Sequence, residues 1–181
     1  PIRNPEYKPA AALIDRCERK LVYGMNTMNT LLLHSWLQVC ENLPGFTNLF
    51  YEKLFSMNPG LRELFRCVDP SDQDRYLQST LSALACGLMT TDSLVTLGRR
   101  YAGCGVRPVD YAVIAHTLLW AIEQQLGASW TLAVRNAWDD TLTRAASVLV
   151  LSNRRQRHYG TSSANVLPFQ RAPLRGAQFK H

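Results

Sequence analysis

The chain has no run of about 18 consecutive apolar residues, so no segment is built to cross a bilayer as a helix and no membrane insertion is expected. Its opening residues lack an apolar signal core and carry Glu6, Asp15 and Glu18 among their bases, which excludes a secretory or transit leader there. A start at Pro1 fits loss of an initiator methionine, and the expected location is the cytoplasm, with association to the cytoskeleton as a refinement. Cys-x-x-Cys is missing. Cys17, Cys40, Cys67, Cys86 and Cys104 are odd in number and widely spaced, which indicates neither a disulfide framework nor a zinc site. Small buried thiols in a reducing compartment are the expectation. Gly-x-Ser-x-Gly, the Walker loop and His-Glu-x-x-His are absent, and the acids and the four histidines do not cluster. An enzyme is therefore not expected, and no sequence-specific DNA-binding motif is present. Acid is lacking altogether from Ser152 to His181.

That last absence locates the net charge of +6. Arg154, Arg155, Arg157, Arg171, Arg175 and Lys180 fall in this stretch, leaving 14 bases against 14 acids in residues 1–151. The body is neutral and the tail is basic. Gly160, Pro168 and Pro173 forbid a long helix there, and isolated Val166, Leu167, Phe169, Leu174 and Phe179 cannot build a core. Three parts follow: an N-terminal extension over 1–24, a body over 25–151 and a basic extended tail over 152–181. Within the extension Leu13, Ile14, Cys17 and Leu21 share one face at helical spacing.

Across the body the apolar period is helical almost throughout and no strand alternation competes. Leu32, Trp36, Val39, Cys40 and Leu43 form one stripe, stopped by Pro44. Phe46, Leu49, Phe50, Leu54 and Phe55 form the next, ended by Asn58-Pro59-Gly60. Ser71 or Asp72 can cap a helix that turns Leu77, Leu81, Leu84 and Leu88 inward. Asp92 starts a shorter one through Arg100. Pro108 opens a helix carrying Tyr111, Ile114, Leu118 and Ile122, which Gly127 ends. A final helix runs from about Ser129 to Val150. The fold class is all-α, with seven or eight helices.

The residues from about Thr27 to Val150 resemble single-domain globins and the globin part of flavohaemoglobins. Ser35-Trp36, Phe50-Tyr51-Glu52-Lys53-Leu54-Phe55, Asn58-Pro59-Gly60-Leu61-Arg62-Glu63-Leu64-Phe65, Gln73 with Leu77, Pro108 to Tyr111, Leu118-Leu119-Trp120 and Ala137-Trp138 match in order and spacing. The resemblance implies a globin fold with Tyr51, Phe65, Gln73 and Leu77 on the distal side of the haem. In that family a tyrosine–glutamine pair hydrogen-bonds the bound gas. These residues equally suit an apolar core and a helix surface.

The chain departs from the family at Leu97-Gly98-Arg99-Arg100-Tyr101, where Tyr101 stands at the position of the iron-binding histidine. A phenol is a poor ligand until ionised, with a free pKa of about 10. As phenolate it favours ferric iron, and Arg99 or Arg100 could assist it. Its greater length requires the helix or the haem to shift. His34, His116 and Cys104 are weak substitutes, and His158 and His181 fall in the tail. Without haem, a cavity costs on the order of 24 cal/mol per Å3, so side chains or a partner must fill it. Tyr101, Met89 and Tyr76 are bulky enough, and Tyr101 is expected to point inward as filler.

From these residues the main expectation is a degenerate, haem-free globin with no cofactor, a structural or adaptor subunit of a large assembly. It would dock by Arg154, Arg155, Arg157, Tyr159, Arg171 and Arg175 on an acidic surface, such as a cytoskeletal filament or RNA. The alternative is a haem-binding globin with Tyr101 as iron ligand, serving as a gas or redox sensor or oxygen-binding protein.

Overall fold

The computed structural model describes residues 27–65 and 70–159, the side chains of 65, 70–73 and 154–159 excepted. The N-terminal extension and residues 160–181 therefore lie outside the described residues. Seven α-helices follow one another: α1 Thr27–Cys40, α2 Leu43–Met57, α3 Gly60–Phe65, α4 Pro70–Ala85, α5 Thr91–Gly103, α6 Pro108–Leu126 and α7 Leu132–Tyr159, with a 3-10 turn over Gly127–Ser129. No strand occurs among the described residues.

Local chemistry sets most of the boundaries. Pro44, read from sequence as a stop, instead lies in the first turn of α2, where a missing N–H costs nothing. The Asn42 side chain caps that turn by accepting from the Gly45 N–H. Thr90 caps α5 by accepting from Ser93 N. At α6 the Asp110 carboxylate accepts from the Arg107 backbone N–H at 2.8 Å, and Pro108 supplies the fixed first turn. The helix ends at Gly127, whose φ of 50° few other residues adopt.

Leu32, Trp36 and Val39 of α1, Phe46, Phe50 and Leu54 of α2, Leu118 and Ile122 of α6 and Trp138 and Leu142 of α7 join one core. Trp36 and Trp138 are both fully buried with ring centres 6.2 Å apart. A buried indole N–H needs an acceptor. Trp36 Nε1 donates to Ser82 Oγ and Trp138 Nε1 to Ser35 Oγ, each at 2.8 Å. Serines inside an apolar core are thus explained by the tryptophans they serve.

Two further features differ from the sequence reading. First, α7 does not end near Val150: it continues to Tyr159, with Ser152 and Asn153 buried. Its anchor is tertiary, since Asn153 Nδ2 donates to the Val106 carbonyl at 2.6 Å. Arg154, Arg155, Arg157 and Tyr159 therefore ride on helical backbone, whereas Arg171 and Arg175 lie outside the described residues. Second, the cysteines are not all thiols. Cys40 and Cys104 are free, but Cys86 is disulfide-bonded. No described helix is long and apolar enough to cross a membrane.

Candidate functional site

The site is bounded by α2, α4 and α5 and closed at one end by two turns. Tyr101 sits in the last turn of α5, with its carbonyl accepting from the Val106 and Cys104 N–H groups at 3.0 and 3.1 Å. Two contacts hold that helix. At Gly98, one turn earlier, a Cβ would fall 2.0 Å from Ser152 Oγ and 3.2 Å from the backbone of Leu149, so only glycine lets α5 lie this close to α7. Beyond the helix, the Asn153 hydrogen bond fixes Val106. Asn153 Nδ2 also reaches Tyr111 Oη at 3.4 Å, leaving Asn153 Oδ1 buried without a partner.

Tyr101 is half-buried, with Tyr111, Arg100 and Cys104 near its phenol. Tyr76, the second filler candidate, lies on the surface at 39% exposure. There its ring faces the Arg75 and Arg100 guanidinium groups at 5.8 and 6.0 Å, bridging α4 and α5. Burial pushes the Tyr101 phenol up to about 12, Tyr111 and Cys104 push the same way, and the Arg100 charge opposes them.

Tyr51 of α2 packs against the core, stacked on Phe55 with centroids 5.7 Å apart. Its phenol is held well above the usual range by burial first, then by the fields of Asp74 and Tyr101. Tyr101 of α5 is thus near enough to Tyr51 of α2 to act on its phenol. Asp74 joins them on α4: burial raises its carboxyl, and a hydrogen bond with Thr47 lowers it. Leu77 is half-buried against the core. Phe65 ends α3 and Gln73 lies in the first turn of α4, but their side chains are outside the described set.

The closing turns are those after α2 and after α5. Gly105, at φ +93°, lies so near Leu64 that a Cβ there would meet Leu64 Cδ2 at 3.4 Å. Below this contact Asp110, 2% exposed, accepts from Asn58 Nδ2 at 3.0 Å and pairs with the Arg107 guanidinium at 2.9 Å. The other candidate ligands lie elsewhere. His34 and His116 are exposed, and His116 lines an outer groove between α6 and α7 with Pro108, Leu142 and Val150. Cys104 stays close to Tyr101, but burial raises its thiol, with Arg100 opposing, so it is no ready thiolate.

Sequence reading missed Asp74, Tyr111 and Asn153. Asp74 sits beside the more conspicuous Gln73, and Asn153 precedes the arginines that marked the tail. Chemically, the arrangement offers two phenols near each other, one of them in the field of a cation. Oxygen donors of this kind suit ferric haem, so the residues fit that group. No cluster of His, Cys, Asp and Glu suited to a bare metal ion occurs among the described residues.

No family model matches the chain. It is 22% identical over 125 residues to neuroglobin of Tetraodon nigroviridis, covering 60% of this chain and 79% of that one. It is 26% identical over 106 residues to the flavohemoprotein of Rhizobium meliloti (strain 1021), covering 55% of this chain but only 26% of that protein. Among solved structures, a Pseudomonas aeruginosa PAO1 protein described as structurally highly homologous to a human hemoglobin superposes with a TM-score of 0.63. The identity is 23%, covering 70% of this chain and 98% of that one. These relatives are globins and a hemoprotein, and none is a filament adaptor. They overturn the expectation of a haem-free structural subunit without cofactor, which rested on the tyrosine at the histidine position and on the basic tail. Helix order, core and sequence likeness together make this chain a relative of the globin superfamily.

Proposed function

We propose that the chain is a haem-binding globin in which Tyr101 would hold the iron and Tyr51 would serve as a hydrogen-bond donor, acting as a gas or redox sensor. The observation that carries this reading is the placement of Tyr101 beside Arg100 in the last turn of α5, where the Arg100 charge favours ionisation of the phenol, with Tyr51 of α2 near enough to feel Tyr101. Ferric haem, when bound, would supply a redox-active iron with phenolate on one side. A tyrosinate-held iron prefers the ferric state, which favours sensing over reversible oxygen carriage.

The chain's own residues divide the work. Tyr101 Oη would hold the iron as a phenolate, and Arg100 favours that charged form. Tyr51 Oη stays protonated, because burial and Asp74 both oppose its ionisation, and so remains a hydrogen-bond donor. Leu77 excludes water beside it. Gly98, Val106 and Asn153 fix the backbone that carries Tyr101.

Titration of the purified chain with hemin, followed by absorption, tests the reading against a Tyr101→Phe control. Saturable one-to-one uptake with a ferric tyrosinate spectrum, lost in the control, is expected. Absence of stoichiometric uptake by the wild-type chain would refute haem binding. Uptake with an unchanged spectrum in the control would refute ligation by Tyr101.

A further inference from the structure

The turn at Gly127 folds α7 back along α6, with Leu126 ending one helix and Leu132 beginning the next. Counting outward from that turn sets Glu123 abreast of Arg135, Leu119 of Asp139 and Ala112 of Ala146. On α6, Val109, Ala112, His116, Leu119 and Glu123 recur at steps of three and four, as do Asp139, Thr143, Ala146 and Val150 on α7. Alternating threes and fours keep each set on one stripe, the seam pattern by which helices pack on other helices.

Both stripes face outward. Val109, Ala112, His116 and Glu123 are exposed and Leu119 is half-buried, while Asp139 and Thr143 are exposed and Ala146 and Val150 half-buried. Between the helices runs a groove of about 560 Å3, with small Ala112, Ala115 and Ala146 at its waist. Its apolar surface is heaviest where α6 begins, since Val109 is 65% exposed and Leu151 60%. Toward the other end stand His116 and Glu123 on α6 and Asp139 and Arg135 on α7. None of these four side chains has a hydrogen-bond or ion-pair partner among the described residues.

Such a face complements itself. A second copy, turned about a two-fold axis running along the groove, lays its α6 on α7 of the first and keeps every level. Glu123 then meets Arg135, Ala112 meets Ala146, and the apolar ends meet each other. Asp139 meets Leu119, with His116 one turn beyond and within reach of the carboxylate. Any other partner must supply both charges in this order, whereas a second copy does so by symmetry. The size also fits. The 19 residues of α6 run about 28 Å, and two helices abreast are about 20 Å wide. That flat projection of roughly 560 Å2 understates the accessible area, which approaches the about 800 Å2 per partner of a stable interface.

We propose that the chain forms a symmetric dimer through the outer face of α6 and α7, pairing Glu123 with Arg135 and His116 with Asp139 between the copies. The dimer stands apart from the haem reading, since no residue of the face borders Tyr101 or Tyr51.

Sedimentation equilibrium of the full chain tests it. The wild-type chain should sediment at twice the 20.4 kDa of one chain. Ala112→Arg puts a charge in the waist of the groove from an exposed position, and should give the monomer mass with an unchanged circular dichroism spectrum. Glu123→Arg and Arg135→Glu should each weaken the dimer about tenfold, because symmetry counts every like-charge contact twice. Mixed one to one, these two single variants should form a heterodimer in preference to either homodimer, read by native mass spectrometry. Only across the mixed pair do opposite charges face each other at both positions. A wild-type chain that stays monomeric at high micromolar concentration overturns the proposal. So does a dimer that survives Ala112→Arg, or a mixture of the two charge variants without preference for the heterodimer. Should Ala112→Arg fail to fold, the mixing experiment decides alone.

Discussion

The proposed ligation through Tyr101 would make haem affinity depend on pH in a calculable way. The phenol is neutral in the haem-free protein at any pH below about 12, whereas the ligand form is the phenolate. Binding therefore expels one proton, and affinity rises about tenfold per pH unit while the pH stays below the phenol's value. Between about pH 6 and pH 8 the dissociation constant should fall by about a hundredfold from this source. Tyr101→Phe has no proton to lose, so its titration line is flatter by one unit of slope. Ionisation of hemin itself contributes to both proteins, and the difference between the two slopes is therefore the readout. Arg100→Gln removes the charge that opposes burial; its line keeps the wild-type slope but lies at weaker affinity throughout. The assay is competitive hemin transfer followed in the Soret band across pH. Equal slopes for wild type and Tyr101→Phe would refute proton-coupled ligation, whatever the absolute affinities.

Three stability predictions test the scaffold. Gly98→Ala forces a Cβ against Ser152 Oγ and the Leu149 backbone. It should cost about 1–3 kcal/mol, with Ser152→Ala restoring only part because the Leu149 backbone cannot yield; thermal denaturation of the single and double variants reads both. Ser82→Ala strands the Trp36 indole N–H in the core and should lower stability by about 1–3 kcal/mol, measured by urea denaturation with an unchanged m-value. Asp110→Asn removes a carboxylate that burial would raise but that hydrogen bonds and charge from Arg107 and Asn58 hold below its ordinary value. A lowered folded-state pKa stabilises at pH above about 4 and loses that contribution as pH falls through the folded value. The variant's deficit at neutral pH should therefore shrink toward pH 3, and a deficit independent of pH would count against the ion pair as its source.

The period of apolar residues was enough to place the helices, because each buries a stripe wide enough to survive local exceptions. The departures have distinct causes. Pro44 was misread because proline both ends one helix and begins the next. The end of α7 was set too early because the arginines after Asn153 look like solvent-facing tail, while the hydrogen bond that carries the helix onward joins residues 47 positions apart. The disulfide at Cys86 has no local signature at all. At the candidate site, the pattern placed Tyr51, Leu77 and Tyr101 on the helices that carry them here. A tyrosine facing a pocket and one filling it occupy the same helical register, so the pattern does not separate them. The haem-free adaptor expectation came from the tyrosine at the histidine position and from the basic tail.

Tyr101 is held by its backbone more firmly than by its side chain, and this bears on what a change of ligand requires. Its carbonyl accepts from Val106, and the Val106 carbonyl in turn accepts from fully buried Asn153, while Gly98 sets the depth of the same helix against α7. The next turn is braced by Asp110 against both Arg107 and Asn58. None of these contacts involves the side chain at position 101. A change from imidazole to phenol there leaves the scaffold intact and alters only donor atom, length and proton affinity. The Tyr101→His variant should therefore fold as the wild type does and bind hemin with a nitrogen-ligand spectrum. Loss of folding in that variant, read by circular dichroism, would mean that the phenol itself helps to hold the corner together.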